Sequence, residues 1–279
     1  MKPARVRFAP SPTGRFHIGS ARTALYNYLL ARQTGGQFIL RIEDTDLKRT
    51  VPGALEEIKE AMRWLGLQWD EGPDVGGPHA PYSQAERKAI YLQHAQQLID
   101  SGHAYRCFCT PERLAQVRES QQKLKQPPRY DGRCRALARE ASDQRAAASE
   151  KFVIRFKTPK TGVTTVRDHL RGEITVENGA IDDYIIVKSD GFALYHLAAM
   201  VDDHLMGITH VFRGAEWLGT FPLHALILRA FGWPEPVWCH LSVFLKPSGK
   251  GKMSKRDATS ELSIFALELR EMGYLPDAI

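Results

Sequence analysis

Three groups of residues in this sequence have types and spacings that could do chemistry. The first is the loop Phe8-Ala9-Pro10-Ser11-Pro12-Thr13-Gly14-Arg15-Phe16-His17-Ile18-Gly19. It leaves a short apolar stretch and enters a helix-like one. A helix start offers unpaired N–H groups and a positive dipole end to a phosphate. Gly14 and Gly19 let a ligand approach the backbone, and His17 can donate to a phosphate oxygen. His-x-Gly alone is a weak signal whose plainer reading is a helix-capping histidine; the Pro-Ser-Pro-Thr-Gly setting strengthens the functional one. The second group is Lys252-Met253-Ser254-Lys255-Arg256, after a Pro-Ser-Gly-Lys-Gly stretch. Two lysines three apart on such a loop can close on a triphosphate as mobile point charges; the plainer reading is a basic surface loop. The third is Cys107-Phe108-Cys109 followed by Tyr130-Asp131-Gly132-Arg133-Cys134. Zinc takes four tetrahedral ligands at short local spacings, and three thiols with a phenol could supply them. Three reduced, buried cysteines are the alternative. Cys239, inside an apolar strand pattern, reads as a core thiol.

The elements that position these groups follow from periodicity. Residues 6–8 form a strand candidate, and 20–34 carry apolar residues at helical spacing up to Gly35-Gly36. Residues 38–42 read as a buried strand. Strand, loop, helix and strand within 40 residues predict a βαβ unit and a parallel sheet. A second helix is expected after Pro52, with Leu55, Ile58, Met62 and Leu65 on its apolar face, and a third over 83–101. Short β segments at 152–157, 164–167, 173–177 and 184–188 suggest an antiparallel unit. Helix over 215–231 and strand over 237–241 return to α/β character, and 261–272 reads as helical. The simplest organisation is an α/β domain at 1–82 and 195–248, an α+β insertion at 83–194, and a third region at 249–279 carrying the lysine loop.

Composition bounds the remaining possibilities. The 279 residues are 43% hydrophobic and 25% charged, with Gly 22 and Pro 16, which excludes a disordered or collagen-like chain. No apolar run is long enough for a membrane span and no signal-like segment opens the chain. Four cysteines are too few for a disulfide framework, so a reducing, cytoplasmic setting is expected. The net charge is +6. Residues 106–135 concentrate eight Lys/Arg against Glu112, Glu119 and Asp131, and Lys246, Lys250, Lys252, Lys255 and Arg256 form a second basic cluster. Two such clusters beside the motifs favour a polyphosphate or nucleic-acid partner over a merely solvated surface.

His17-Ile18-Gly19-Ser20 and Lys252-Met253-Ser254-Lys255-Arg256 resemble the two signatures of class I aminoacyl-tRNA synthetases. Residues 8–14, Arg41-Ile42-Glu43-Asp44-Thr45-Asp46, Glu71-Gly72-Pro73-Asp74 and Val201-Asp202-Asp203-His204 resemble the bacterial glutamyl-tRNA synthetases, and the resemblance covers essentially the whole chain. It implies a Rossmann-like α/β catalytic domain split by an insertion that binds the tRNA acceptor end. It implies activation of L-glutamate by ATP with Mg²⁺, transfer to the terminal adenosine of tRNA(Glu), and a monomer. The family continues into helical anticodon-binding domains that this sequence lacks.

By resemblance His17, Lys252 and Lys255 stabilise the phosphates during transfer, with Gly19 and Ser254 also at ATP. Arg7 and Arg213, with the Tyr195 hydroxyl, would take the side-chain carboxylate of glutamate, since the guanidinium fork matches a carboxylate. Glu43 and Ser11 would take its ammonium. For Glu43 the plainer alternative is a solvated strand end, and for Arg213 a surface salt bridge. Cys107, Cys109, Tyr130 and Cys134 match a zinc site found in some relatives. Ala199 and Ala215 stand where the family usually has an Asn and an acid, and Phe192-Ala193-Leu194 replaces a Pro-Thr before Tyr195. Two other readings fit the motifs. One is the short paralogue that glutamylates the queuosine of tRNA(Asp), which the intact lysine loop disfavours. The other is a non-catalytic tRNA- or ATP-binding relative.

Overall fold

The structure is a computed structural model, described over residues 2–246 and 263–279. Strand β1 (Arg5–Phe8) is buried along most of its length and leads through the Pro-Ser-Pro-Thr-Gly loop to helix α1 (Ile18–Thr34). His17 caps α1, and Gly35 ends it in the left-handed conformation with φ 65°. Strand β2 (Gln37–Leu40) then pairs parallel with β1, Arg5 opposite Gln37 and Phe8 opposite Leu40. The expected βαβ unit is therefore present. Helix α2 (Ala54–Trp64) buries Ile58, Ala61 and Met62 against this pair. A 3₁₀ turn at Gln84–Arg87 precedes helix α3 (Lys88–Asp100), so the expected helix over 83–101 forms in two pieces.

The middle of the chain builds an antiparallel sheet from β3 (Ala104–Cys107), β4 (Val153–Phe156) and β7 (Ile185–Val187). Between β3 and β4 lie helices α4 (Pro111–Lys123) and α5 (Arg139–Ala147). α4 buries no residue and α5 only Ser142, so their polar sequences suit a solvated position.

The hairpin of β5 (Val163–Asp168) and β6 (Gly172–Glu177) behaves differently. Its strands pair antiparallel, as the sequence suggests, yet β5 also pairs parallel with β9 (Val237–Leu241), Asp168 opposite Trp238. The hairpin therefore extends the sheet β6-β5-β9-β8, in which β8 (His210–Gly214) runs parallel to β9. The span 83–194 thus contributes to two sheets. The alternation in β5 marks a half-buried strand but carries no information about its neighbours.

Helix α6 (Tyr195–Leu205) and helix α7 (Phe221–Ala230) pack in the larger core with Trp238. The helix expected over 215–231 begins as a 3₁₀ stretch, Ala215–Thr220, where Pro222 follows at the start of α7. Helix α8 (Ala266–Glu271) forms the later part of the helix expected over 261–272, of which 261 and 262 lie outside the described residues. Cys239 is buried in β9, the core thiol expected. β8 lies beside β1: the Thr209 amide donates to the Arg5 carbonyl at 2.9 Å. β1 therefore stands between β2 and β8, the place where the chain's direction of winding reverses. In open α/β sheets ligands bind at that point, beyond the strands' carboxyl ends.

Candidate active site and cysteine cluster

A cavity of about 260 Å³ opens there. Its walls come from the loop after β1 (Ala9, Ser11), the start of α1 (His17, Gly19), the turns after β8 (Glu216, Trp217) and after β9 (Phe244), and from Arg7, Glu43, Tyr195 and Arg213. All seven residues assigned to it from the sequence and lying in described segments are brought together. Lys252, Ser254 and Lys255 lie outside the described residues. The chain beyond them docks at the same place: the Ile18 amide donates to the Ile264 carbonyl at 2.8 Å, and the Ala266 amide to the Phe16 carbonyl at 3.0 Å.

His17 is both a cap and a wall. The Ser20 amide donates to its Nδ1 at 3.2 Å, so the plainer reading holds as well. The ring lies over the first helical turn, and a Cβ on Gly19 would sit 3.0 Å from its Cε1 and Nδ1. Glycine thus leaves the imidazole room in this position, where a Cβ would make the ring give way by a few tenths of an ångström. The string after Glu43 is structural: the Ser83 hydroxyl and the Ala85 amide donate to Asp44 at 2.7 and 2.8 Å.

Two of the three arginines lining the cavity, Arg7 and Arg213, differ in how their charge is met. Arg7 donates to both oxygens of Asp203, from Nε at 2.9 Å and Nη2 at 3.2 Å. Arg41, fully buried, donates to Asp203 at 2.7 Å and to Glu43 at 3.2 Å. Arg213 is 5% exposed, and among the described residues no carboxylate forms an ion pair with it. That excludes the surface salt bridge. Its Nε donates to His240 Nε2 at 2.8 Å, Nη1 to His224 Nδ1 at 2.9 Å and, loosely, to the Tyr195 hydroxyl at 3.5 Å. Nη2 is buried without a hydrogen-bond partner.

The electrostatics follow from burial. Withdrawal from water raises the Glu43 carboxyl to about 7, with Arg41 and Arg7 only partly opposing it. Desolvation, with the nearby Arg213 charge, lowers His196 and His240 to about 4 and His224 well below its ordinary value. Burial lowers Arg213 from the usual guanidinium range and raises Tyr195. Neither Ala199 nor Ala215 is a wall of the cavity. Ala199 is fully buried in the core, and Ala215 starts the 3₁₀ turn whose next two residues, Glu216 and Trp217, form the wall. Trp217 packs on Tyr195 at 4.1 Å between centroids. Sequence reasoning missed Trp217 and the three histidines. Only His240, a polar residue within an apolar strand pattern, left any signal.

The cysteine cluster lies apart from this cavity. Cys107 ends β3, Cys109 follows it, and the turn after Tyr130 returns Cys134, so the three sulfurs fall within 4.8 Å of one another. Cys109 and Cys134 sulfurs are 3.6 Å apart, and the Tyr130 hydroxyl lies 3.3 and 3.5 Å from Cys107 and Cys109. Tetrahedral zinc with ~2.3 Å bonds to sulfur needs sulfurs roughly 3.8 Å apart, so the donors fit. Arg113 Nη1 donates to Cys109 at 3.4 Å, which favours thiolate character. Burial without an ion raises the Cys109 thiol to about 11.

Half of the basic run beside it is neutralised. Arg106 pairs with Asp143, Arg113 with Asp131, Lys123 with Glu119 and Arg135 with Asp183. Asp143 and Asp183 lie outside the window counted in the sequence, so the local excess of cations is smaller than the run suggests. Among the described residues no helix is long and apolar enough to cross a membrane.

Comparison with known proteins places this geometry. Residues 3–279 match the family described as tRNA synthetases class I (E and Q), catalytic domain. The chain is 48% identical over 275 residues to a glutamate–tRNA ligase of Rhizobium etli, covering 99% of this chain and 56% of that protein. It is 50% identical over 278 residues to one of Psychrobacter, covering 54% of it. The crystal structure of a glutamate tRNA ligase from Elizabethkingia meningosepticum, in complex with its amino acid, superposes with a TM-score of 0.91 at 44% identity, over 99% of this chain and 59% of that one. The chain thus spans little more than half the length of these relatives.

Proposed function

This chain belongs to the class I glutamyl- and glutaminyl-tRNA synthetase family by its catalytic domain, and from that premise we propose that it activates L-glutamate with ATP and transfers it to tRNA(Glu). The observation that carries the proposal is Arg213: a buried guanidinium at a cavity wall with which no carboxylate among the described residues forms an ion pair. A ligand carboxylate supplies the missing partner. Arg213 and Tyr195 take the side-chain carboxylate, with Arg7, already engaged by Asp203, adding field rather than a fork. Glu43 and Ser11 take the ammonium, whose charge draws Glu43 into its ionised form.

An α-carboxylate oxygen of glutamate then attacks the α-phosphorus of ATP. The bond to the bridging oxygen breaks, leaving glutamyl-adenylate and pyrophosphate. A hydroxyl of the terminal adenosine next attacks the acyl carbon and releases AMP. No enzyme nucleophile is needed; positioning and charge stabilisation do the work. The start of α1 with His17 and Gly19 faces the phosphates. By family membership Lys252, Ser254 and Lys255 would meet the charge on the phosphates, and Mg²⁺ would accompany ATP.

In this proposal residues 1–82 and 195–248 form the catalytic domain and 83–194 the insertion that meets the acceptor end, with Lys125 and Arg133 among the cations there that no ion pair of the described residues occupies. Cys107, Cys109, Tyr130 and Cys134 hold one zinc ion, which would tie β3 to the turn at 130–134. Cytoplasmic location and a monomer complete the reading.

Glutamate-dependent exchange of pyrophosphate into ATP is the test, run with this chain alone and with tRNA(Glu) or tRNA(Asp). Exchange stimulated by tRNA(Glu) supports the proposal. Exchange without tRNA, followed by transfer to tRNA(Asp), points to the queuosine-modifying paralogue. No exchange in any arm leaves a binding protein.

A further inference from the structure

Buried arginines usually keep a carboxylate, because an uncompensated charge away from water is costly. Arg7 and Arg41 obey this rule through Asp203. Arg213 is held as firmly, but by rings. His240 and His224 accept from its Nε and Nη1 at 2.8 and 2.9 Å. Trp238 lies against its face with 4.7 Å from Cζ to the ring centroid.

The protonation pattern follows from the donors. Arginine only donates, so His240 Nε2 and His224 Nδ1 are acceptors. His240 then carries its proton on Nδ1, which donates to Asp168 Oδ2 at 2.7 Å. His224 carries its proton on Nε2, which donates to His196 Nδ1 at 2.9 Å. Asp168 is fixed in turn: the His240 amide donates to the same oxygen at 3.0 Å, and the Leu170 and Arg171 amides to the other at 3.0 Å each. Both histidines next to Arg213 are thereby set as neutral imidazoles in opposite tautomers. The anchor, Asp168, belongs to the β5–β6 hairpin and reaches the site only because β5 pairs with β9.

We propose that His224 and His240 are positioning residues for Arg213: as neutral acceptors they orient its guanidinium without cancelling its charge, which is left for the carboxylate of the ligand. This rests on the carboxylate substrate proposed above. A carboxylate in place of either ring would orient the fork equally well and would compete with the ligand for it. Other charged or titratable groups near Arg213 or on the same cavity wall include Arg7 from β1, Arg22 from α1, Glu43 after β2, Tyr195, His196 and Asp203 from α6, and Glu216 after β8.

Two measurements on the full chain test this separately. The first reads histidine tautomers by long-range ¹H–¹⁵N correlation at pH 6. His240 is expected protonated on Nδ1 and His224 on Nε2, both neutral; an imidazolium at either overturns the assignment whatever the ligand. The second is calorimetric titration with L-glutamate. His224→Glu and His240→Glu are expected to weaken binding more than 100-fold. His224→Gln and His240→Gln, which keep an oxygen acceptor, are expected to weaken it less than about tenfold. Equal losses in the Glu and Gln variants overturn the role of charge. Where a Glu variant fails to fold, His224→Leu replaces it and is expected to bind at least tenfold more weakly than His224→Gln; equal affinities overturn the proposal. Expected tautomers with no L-glutamate binding by the unaltered chain overturn the substrate reading and leave the histidine assignment standing.

Discussion

The cavity and the cysteine cluster are built on opposite plans. The cluster is local: its four donors come from 28 residues, meet one another, and would be satisfied by one ion. The cavity is distributed: Arg7, Glu43, Tyr195 and Arg213 come from four separate segments, and the charge of Arg213 meets no carboxylate among the described residues. The difference separates stability from binding. In the proposal, an ion held by the cluster's donors ties the module together. At the cavity, Asp203 and its arginines hold the fold, while Arg213 is held ready for something else.

The sharpest way to break this contrast is to remove each arginine. Arg7→Ala leaves Asp203 with Arg41 alone and is expected to destabilise the chain by about 3 kcal/mol, the cost of breaking a buried pair. Arg213→Ala removes a buried cation that has no carboxylate, so its stability cost is expected to stay near 1 kcal/mol, two lost hydrogen bonds against a relieved charge. L-Glutamate affinity should nonetheless fall about 100-fold. Urea unfolding and calorimetric titration of both variants decide it. Equal destabilisation would show that Arg213 is structural.

Metal removal probes the other region. Protein purified without added metal is expected to contain one zinc per chain by elemental analysis. At free zinc 100-fold above its dissociation constant the ion should stabilise the chain by about 2.7 kcal/mol, a gain lost on chelation and absent in Cys134→Ser. L-Glutamate affinity should not change, because the cavity shares no donor with the cluster. A metal content near zero removes the claim.

The pH dependence of a single cavity residue is the most specific test. Glu43 is raised from 4.5 to about 7 in the fold, chiefly by burial. The folded state therefore holds a proton that the unfolded state has lost between these pH values. The stabilisation is fully present below pH 4.5 and is lost as pH rises to about 7. Glu43→Gln cannot ionise, so its stability relative to the unaltered chain should rise by about 3 kcal/mol across that window and stay level above it. A flat difference between pH 4.5 and 7 would place Glu43 in water, as the solvated strand end considered from the sequence.

Much of this organisation is legible along the chain because it is local. The run from apolar strand through Pro-Ser-Pro-Thr-Gly to His17 and Gly19 predicts the loop and helix start that form. The spacing of Cys107, Cys109 and Cys134 predicts their meeting, since a short loop returns at small entropic cost. Other readings fail where the partner is remote. The basic excess at 106–135 is reduced by Asp143 and Asp183, which no window around the run contains. The β5–β6 hairpin reads correctly as a hairpin, yet its sheet is decided by β9, some 70 residues on.

The family, the βαβ opening, the cysteine cluster and many of the residues that meet at the cavity can be read from residue order. What those residues are electrically depends on the packed fold. Arg7 and Arg213 are the same side chain, and nothing within several residues of either tells them apart. Arg7 is neutralised by Asp203, 196 positions away, and Arg213 is steadied by His224 and His240, 11 and 27 positions away. The charge available to a ligand depends on burial and on which partner the fold brings within about 3 Å. Both are properties of long-range packing, which residue spacing does not encode.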